Sequence, residues 1–454
     1  MNKDNYKENE SQVESELDKL NISDNDSSSV NINHKNCYKP RDKKLWCKEC
    51  VPRCIIEGWT SGNNDIDEFM KNTIYNAELK YDINAKVEYP LFLEWVPFDR
   101  FKDVKQIGEG GFAKVYSATW IDGKAVYKRV KRQNDGSWKK EEPKPIKVAL
   151  KKLNDSQNIS ANYLNEIKIL WNIYFDDSNN SLKFYGITKD TKTGEFMMII
   201  QLADQGNLRI YDLKNLHKLG YFHKDFHSGN LLQNSDADND NLTYVSDFGL
   251  SGQSNEQKSD GKICGVLPYI APEVLNGEPY TLSSDIYSFG VIMTELSFGK
   301  PPFYNRKHDI SLVLEICNGI RPEFGKGTPE IYKKLAYRCM SAIPNQRPTA
   351  DELCDILDFW YNSNNDDEYY QEVERFGYKI KEIKAIFDEA DKEIPNIPTL
   401  YEKIPDAIYT SRVFTFSNLP KPVNSSIITS YIEDEEDNKD CQDSKLFDLE
   451  VPSN

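Results

Sequence analysis

His223-Lys-Asp-Phe-His-Ser-Gly-Asn230 and Asp247-Phe-Gly249 set out an acid, an amide five residues later and a second acid seventeen beyond that. Those types in that order suit phosphoryl transfer from a nucleotide. One carboxylate, Asp225, would orient and deprotonate an attacking hydroxyl. Asn230 and Asp247 would offer an amide oxygen and a carboxylate oxygen to Mg²⁺ on the triphosphate. The ordinary role of any single acid is a solvated surface charge, so the other parts of such a site must stand at matching places.

They do, on elements the residue pattern makes legible. Phe101, Val104 and Ile107 read as a strand leading into Gly108-Glu-Gly-Gly-Phe-Ala-Lys-Val115, after which Tyr116–Trp120 resumes a strand. Glycines at such a turn let backbone N–H groups approach phosphates unobstructed, and Phe112 takes its tip. The strand–turn–strand setting separates it from a dinucleotide fingerprint, which opens a helix. Val148-Ala-Leu-Lys151 is a short apolar strand bearing one amine, which needs a compensating anion if buried. Glu166, fifteen residues on, lies on a helix whose apolar face is Tyr163, Ile167 and Leu170. Phe196–Ile200 is a further apolar strand. Leu267-Pro-Tyr-Ile-Ala-Pro-Glu273 has an acid that would need a buried cation. Asp285-Ile-Tyr-Ser-Phe-Gly290 begins a fully apolar helix with one acid, tolerable if backbone N–H groups donate to it.

Over Phe101 to Trp360 this order resembles the eukaryotic protein kinases. The resemblance implies an α+β, bilobal fold, a small antiparallel β lobe followed by a helical lobe, and ATP and Mg²⁺ as cofactors. It implies nucleotide contacts from Ile107, Gly108, Glu109, Gly110, Gly111, Phe112, Ala113, Lys114 and Val115. Ala149, Lys151, Gln201 and Ala203 complete that set, the last two as the hinge beneath an adenine ring, with Ile200 at the back of the pocket. Lys151 with Glu166 and Asp225 are the implied catalytic residues, Asn230 and Asp247 the Mg²⁺ ligands, and Arg347 the structural partner of Glu273. His227 and Val266 stand where serine/threonine enzymes usually place a lysine and a threonine, and the tyrosine-specific pattern is missing too. The combination looks most like the tyrosine-kinase-like group, and is similar to the expanded kinase families of mycorrhizal fungi. Ser/Thr hydroxyls of protein substrates are therefore expected over Tyr. Lys224 replaces the usual arginine, keeping charge but losing bidentate pairing to a phosphorylated loop, for which Ser251, Ser254 and Ser259 are candidates.

One interval departs from the family. Sixteen residues separate Gly206 from His223, where two helices averaging roughly 11–12 residues each are normal. The helical lobe is thus expected to lack one helix and part of the next, leaving Tyr211–Leu219 with Leu213 and Leu216 facing inward. A locally rebuilt lobe, an incomplete gene model and a splice form each account for this. The same gap motivates the alternative to an active enzyme, a pseudokinase scaffold that binds nucleotide or partners without catalysis.

Outside the motif-bearing stretch, composition divides the chain. Residues 1–33 read as a disordered acidic and polar N-terminus. Within 34–58, His34, Cys37, Cys47 and Cys50 have spacing for a tetrahedral Zn²⁺, weighed against plain reduced thiols. Residues 59–100 form a helical lead-in with Ile66, Phe69, Met70, Ile74 and Ala77 at helical spacing behind an Asp65 cap. Pro90 and Pro97 mark the connection that follows, and Asp122–Pro145 reads as an exposed insertion. The kinase-like domain closes near residue 360. An amphipathic helix at 365–393 carries a stripe of Tyr369, Val373, Phe376, Ile380, Ile383 and Phe387, packing on its own chain or associating with itself or a partner. Residues 394–454 read as a flexible acidic tail. A net charge of −16 over 454 residues argues against nucleic acid as a partner. No apolar run approaches the roughly 18 residues of a membrane helix, and the polar N-terminus lacks a signal core, so an intracellular, cytoplasmic location without membrane insertion is expected.

Overall fold

The structure, a computed structural model, describes residues 58–82, 87–109, 113–125, 127–129, 138–140, 142, 144–153, 156–157, 159–178, 181–202, 211–234, 242–253, 262–364, 372–397 and 400–432. They fall into two units divided after Ala203. The first is rich in sheet and the second in helix.

In the first unit, α1 (Asn64–Tyr75) is capped by Asn63, whose side chain accepts from Ile66 N; the expected cap Asp65 lies inside the first turn. Asp67 is buried and accepts from Ser61 N at 2.8 Å and Thr60 Oγ1 at 2.6 Å. Ile66, Met70, Ile74 and Ala77 bury the apolar stripe, as the spacing requires. The helix stops short of Leu79. β1 (Glu78–Asp82) and β2 (Val87–Leu91) follow as an antiparallel pair in which Leu79 faces Pro90, so Pro90 belongs to a strand rather than a linker.

The main sheet is built from β3 (Glu94–Trp95), β4 (Phe101–Glu109), β5 (Ala113–Trp120), β8 (Ile146–Leu153), β9 (Phe184–Lys189) and β10 (Phe196–Gln201). Their order is β3-β9-β10-β8-β5-β4. β3 runs parallel to β9, with Glu94 opposite Gly186; a Cβ on that glycine would lie 1.9 Å from Glu94 O, so only glycine fits there. Trp95, on the edge strand β3, stacks on Trp59 with ring centroids 6.1 Å apart. Val96, Phe101, Ala118, Trp120, Val148, Leu150, Met197 and Ile199 form one buried cluster. The 122–145 insertion is more than a loop, because β6 (Tyr127–Arg129) and β7 (Trp138–Lys140) pair antiparallel within it. α2 (Ala161–Asp176) starts at Ser160, whose side chain accepts from Tyr163 N.

The second unit includes α3 (Tyr211–Lys218), the only helix described between the two units' boundary and His223. Leu213 and Leu216 are fully buried on it, as expected for the remnant of a longer helix. Short antiparallel pairs follow: β11 (Tyr221–Phe222) with β14 (Gly252–Gln253), and β12 (Leu231–Asn234) with β13 (Leu242–Val245). After β15 (Ile263–Gly265) and α4 (Pro272–Leu275) comes α5 (Leu282–Phe298), which opens on a Thr281/Ser284 capping box and ends at Gly299 with φ +68°. Around it lie α6 (Ile310–Cys317), α7 (Glu330–Cys339) and α8 (Ala350–Tyr361).

The C-terminal expectations change most. Where a helix was expected over 365–393, β16 (Glu374–Arg375) and β17 (Tyr378–Lys379) form a hairpin, and α9 spans only Ile380–Asp391. Phe376 and Gly377 both have positive φ, +54° and +78°, which no α-helix accommodates. Ile380 and Ile383 are buried against Phe359 of the same chain, beside Phe387 and Trp360, so this part of the stripe packs internally. Residues 400–432, read from composition as a flexible tail, are seated on the helical unit. β18 (Arg412–Phe414) pairs with β15, Val423 N donates to Cys317 O, and Ala407 and Ile428 are fully buried. Among the described residues no helix is long and apolar enough to cross a membrane.

Candidate functional site

The helical unit holds the acid-bearing loop from below by one buried carboxylate. Asp285, near the start of α5, accepts from His223 N at 2.7 Å and Lys224 N at 3.2 Å. His217 Nε2 on α3 adds a third contact at 3.0 Å. These donors are what an acid on an apolar helix needs. Lys224 takes a left-handed φ of +69°, which turns the chain at the loop's entrance. The His223 ring donates through Nε2 to Ser246 O at 3.0 Å, and lies against Phe226 and Phe248. Burial pushes its imidazole below the ordinary value, so it is neutral with the proton on Nε2.

Asp225 and Asn230 are brought together: Asn230 Nδ2 donates to Asp225 O at 2.8 Å. That bond uses the amide nitrogen and leaves the amide oxygen as the available ligand atom. Asn230 O in turn accepts from Ser246 N at 2.9 Å, tying the loop to the residue before Asp247. Asp247 has φ +68°, a left-handed conformation uncommon for a non-glycine residue. Asp225 Oδ1 is buried, and among the described residues nothing hydrogen-bonds it. The nearest nitrogen is His227 Nε2 at 3.7 Å. Gly229 N donates to His227 Nδ1 at 3.1 Å, so the neutral ring carries its proton on Nε2, facing Asp225. A buried acceptor left unsatisfied is poised for a donor from outside the chain.

Arg347 meets Glu273 in a buried fork, with Nη1–Oε1 at 2.7 Å and Nη2–Oε2 at 2.6 Å, and also donates to Ser283 O and Ser341 O. α3 is pinned by two further side-chain bonds. Asp212 Oδ2 accepts from Val245 N at 2.9 Å and Tyr211 OH donates to Asp358 at 2.6 Å. The functional weight of His217, Asp212 and Ser246 was not read in the sequence; the one available signal was their polarity on otherwise inward-facing positions.

The sheet unit carries the other expected residues. Lys151 Nζ lies 2.6 Å from Glu166 Oε1, with the side chains only 9% and 2% exposed. The register puts Val115 opposite Lys151, Ser117 opposite Ala149, and Ile200 opposite Ala149, so Val115, Ala149, Lys151 and Ile200 occupy adjoining strands. Gly108 faces Val115, and Glu109 faces Lys114 with an ion pair at 3.3 Å, beside Ala113 and Ile107. Gln201 ends β10, buried, with its N–H on Lys183 O at 2.9 Å. Gly110, Gly111, Phe112 and Ala203 lie outside the described residues, as do Ser254, Ser259 and the His34, Cys37, Cys47 and Cys50 set. Among the described residues no cluster of metal-ligating side chains supports Zn²⁺. Ser251 is described and its side chain is buried, which differs from an exposed loop serine.

A sheet carrying a buried lysine–glutamate pair, and a helical unit whose acidic loop hangs from a helix aspartate, define a protein-kinase fold. Residues 101–215 match the family model for protein tyrosine and serine/threonine kinases, and residues 210–357 match that for the protein kinase domain. Residues 101–357 thus form a eukaryotic protein kinase domain. It is 28% identical over 307 residues to the probable serine/threonine-protein kinase gdt4 of Dictyostelium discoideum, covering 65% of this chain and 17% of that protein. It is 28% identical over 292 residues to a probable serine/threonine-protein kinase of Clostridium acetobutylicum, covering 61% and 42%. A serine/threonine-protein kinase of Arabidopsis thaliana, AtPK1/AtPK6, is 25% identical over 218 residues, covering 47% and 45%. The chain thus spans less than half the length of each of these relatives.

Proposed function

We propose that the chain is an ATP-dependent protein kinase that transfers the γ-phosphoryl group to Ser or Thr hydroxyls of protein substrates in intracellular signalling. The observation that carries this reading is Asp225 Oδ1, buried and without a hydrogen bond among the described residues, on a loop whose Asn230 amide nitrogen is already engaged with Asp225 O. A substrate hydroxyl is the donor such an oxygen lacks, and Asp225 accepts its proton as the hydroxyl oxygen bonds to the γ-phosphorus and the bond to the β–γ bridging oxygen breaks, with ADP leaving. Asn230, through the oxygen its own hydrogen bond leaves available, and Asp247 are the ligands for Mg²⁺; bound there, the ion neutralises phosphate charge. Lys151, held by Glu166, offers its ammonium to the α- and β-phosphates, and the 107–115 turn supplies backbone N–H groups. Gln201 would belong to the hinge beneath the base and Ile200 to the back of its pocket.

The names of the relatives favour Ser/Thr over Tyr. The shortened 207–222 interval favours the second reading, a pseudokinase that binds nucleotide or partners. Calorimetric titration with ATP, with and without Mg²⁺, tests the nucleotide roles. Lys151→Met is expected to weaken ATP binding about tenfold or more in either condition, and Asp247→Asn only in the presence of Mg²⁺. Wild type that binds neither form would overturn the kinase reading and the nucleotide-binding form of the second; binding of Mg-ATP with no phosphoryl transfer would leave the scaffold alone.

A further inference from the structure

The segment that closes the acid-bearing loop from the front is fixed by the chain's own C-terminal strand. β15 pairs with β18 in the register Ile263↔Phe414, Cys264↔Val413 and Gly265↔Arg412. Its other edge is held by a side chain. Tyr280 OH accepts from Cys264 N at 3.2 Å and donates to Cys264 O. Backbone groups alternate in direction along an antiparallel strand, so with Cys264 turned to Tyr280 the ladder to β18 is made by Ile263 and Gly265. Both edges of β15 are thereby occupied.

β15 ends against the acid. Gly265 has φ +138°, and a Cβ there would lie 3.4 Å from Asp225 Oδ1 and 3.3 Å from Ile270. The backbone of the residue paired with Arg412 is therefore the wall beside the unsatisfied oxygen. Lys224, next to Asp225, has its ammonium over the Phe222 and Tyr280 rings at 5.5 and 5.6 Å, and those rings stack on each other at 6.5 Å. The same Tyr280 thus holds β15 by its hydroxyl and the loop's cation by its ring. β18 is itself anchored on either side. His308 N donates to Asp406 O at 3.0 Å, His308 Nδ1 contacts Ile408 O at 2.9 Å, and Ala342 N donates to Asn424 at 2.6 Å.

Resting on the kinase reading, we propose that the backbone of Arg412–Phe414 and the hydroxyl of Tyr280 position Asp225. They clamp β15 in its working place, so that a phosphorylated loop residue is not needed to do so. Lys224 fits this, being engaged with two aromatic rings. The paired segment 412–414 is a built-in substitute for an activating phosphate.

The test uses the full chain and reads amide hydrogen exchange and transfer kinetics together. Phe414→Pro deletes one N–H facing Ile263; Phe414→Ala removes the ring and keeps that bond; Tyr280→Phe removes the hydroxyl and keeps the ring. Phe414→Pro and Tyr280→Phe are expected to speed exchange at residues 263–265 about tenfold or more and to lower kcat about tenfold, with the Kd for Mg-ATP within about twofold. Phe414→Ala and phosphatase-treated wild type are expected to match untreated wild type in both readouts. Unchanged exchange in Phe414→Pro overturns the proposal, as does faster exchange with unchanged kcat, or loss of activity on phosphatase treatment. A melting scan of each variant separates a local opening from a chain that does not fold; if Phe414→Pro unfolds, Tyr280→Phe alone decides. Wild type with no transfer at all strikes the kinase reading instead, and exchange at residues 225 and 263–265 then decides the clamp.

Discussion

Glu166 and Lys151 hold each other charged in a place with almost no water, at 2% and 9% exposure. Neither charge is tolerable there without the other, so removing one leaves a buried ion uncompensated. Glu166→Ala is expected to lower the unfolding free energy by about 3–5 kcal/mol. Arg347 is in the same position with respect to Glu273, and its fork cannot be reproduced by an ammonium. Arg347→Lys is expected to lose most of what Arg347→Ala loses, about 3–5 kcal/mol, in denaturant titrations of the two variants. A loss under about 1 kcal/mol in either would mean that the charges are hydrated and the packing is looser than described. In sequence each buried charge showed that a partner was needed, and the kinase resemblance supplied Glu166 and Arg347.

Elements were legible to the extent that their signal is local. A fully apolar run behind one acid gave α5, and the strand-like residues on either side of the Gly108–Val115 turn gave β4 and β5. The parts that were missed depend on pairing between distant residues. β3 is two residues long and owes its place to a glycine on β9, and β18 is three residues in a polar stretch. No composition reports such strands. The 365–393 stripe failed differently, because helical spacing was present but Phe376 and Gly377 adopt positive φ. α3 is the element on which the shortened interval bears. Eight residues make a marginal helix in isolation, so its buried leucines and the Asp212–Val245 and Tyr211–Asp358 bonds must hold it. Leu216→Ala is expected to cost about 2–5 kcal/mol and to lower kcat, since His217 on the next position supports Asp285. Retained kcat at reduced stability would show that α3 contributes packing alone.

For the molecule as a whole, pH dependence follows from His223, which burial keeps neutral in the folded chain. Below pH 6.5, the ordinary value of its imidazole, the unfolded chain takes up this proton and the folded chain does not. Stability from this group is therefore complete above that pH. It declines as pH falls below it, by up to about 1.4 kcal/mol per pH unit, until folded His223 protonates. An NMR titration should show the His223 ring unprotonated at pH 6.5; a midpoint at or above 6.5 would contradict its burial. The two units each bring their share of a kinase: a lysine–glutamate pair on a sheet, and an acid, an amide and a second acid around one buried aspartate. Whether the acid works is decided by one comparison. Purified full-length wild type and Asp225→Asn are given Mg-ATP labelled in the γ-phosphate and a mixed library of Ser-, Thr- and Tyr-containing peptides. Transfer by wild type to Ser and Thr peptides, reduced about a thousandfold or more in Asp225→Asn with Mg-ATP affinity within about threefold, is the expected result. Equal transfer by the two proteins would contradict the assignment of Asp225 and the function built on it.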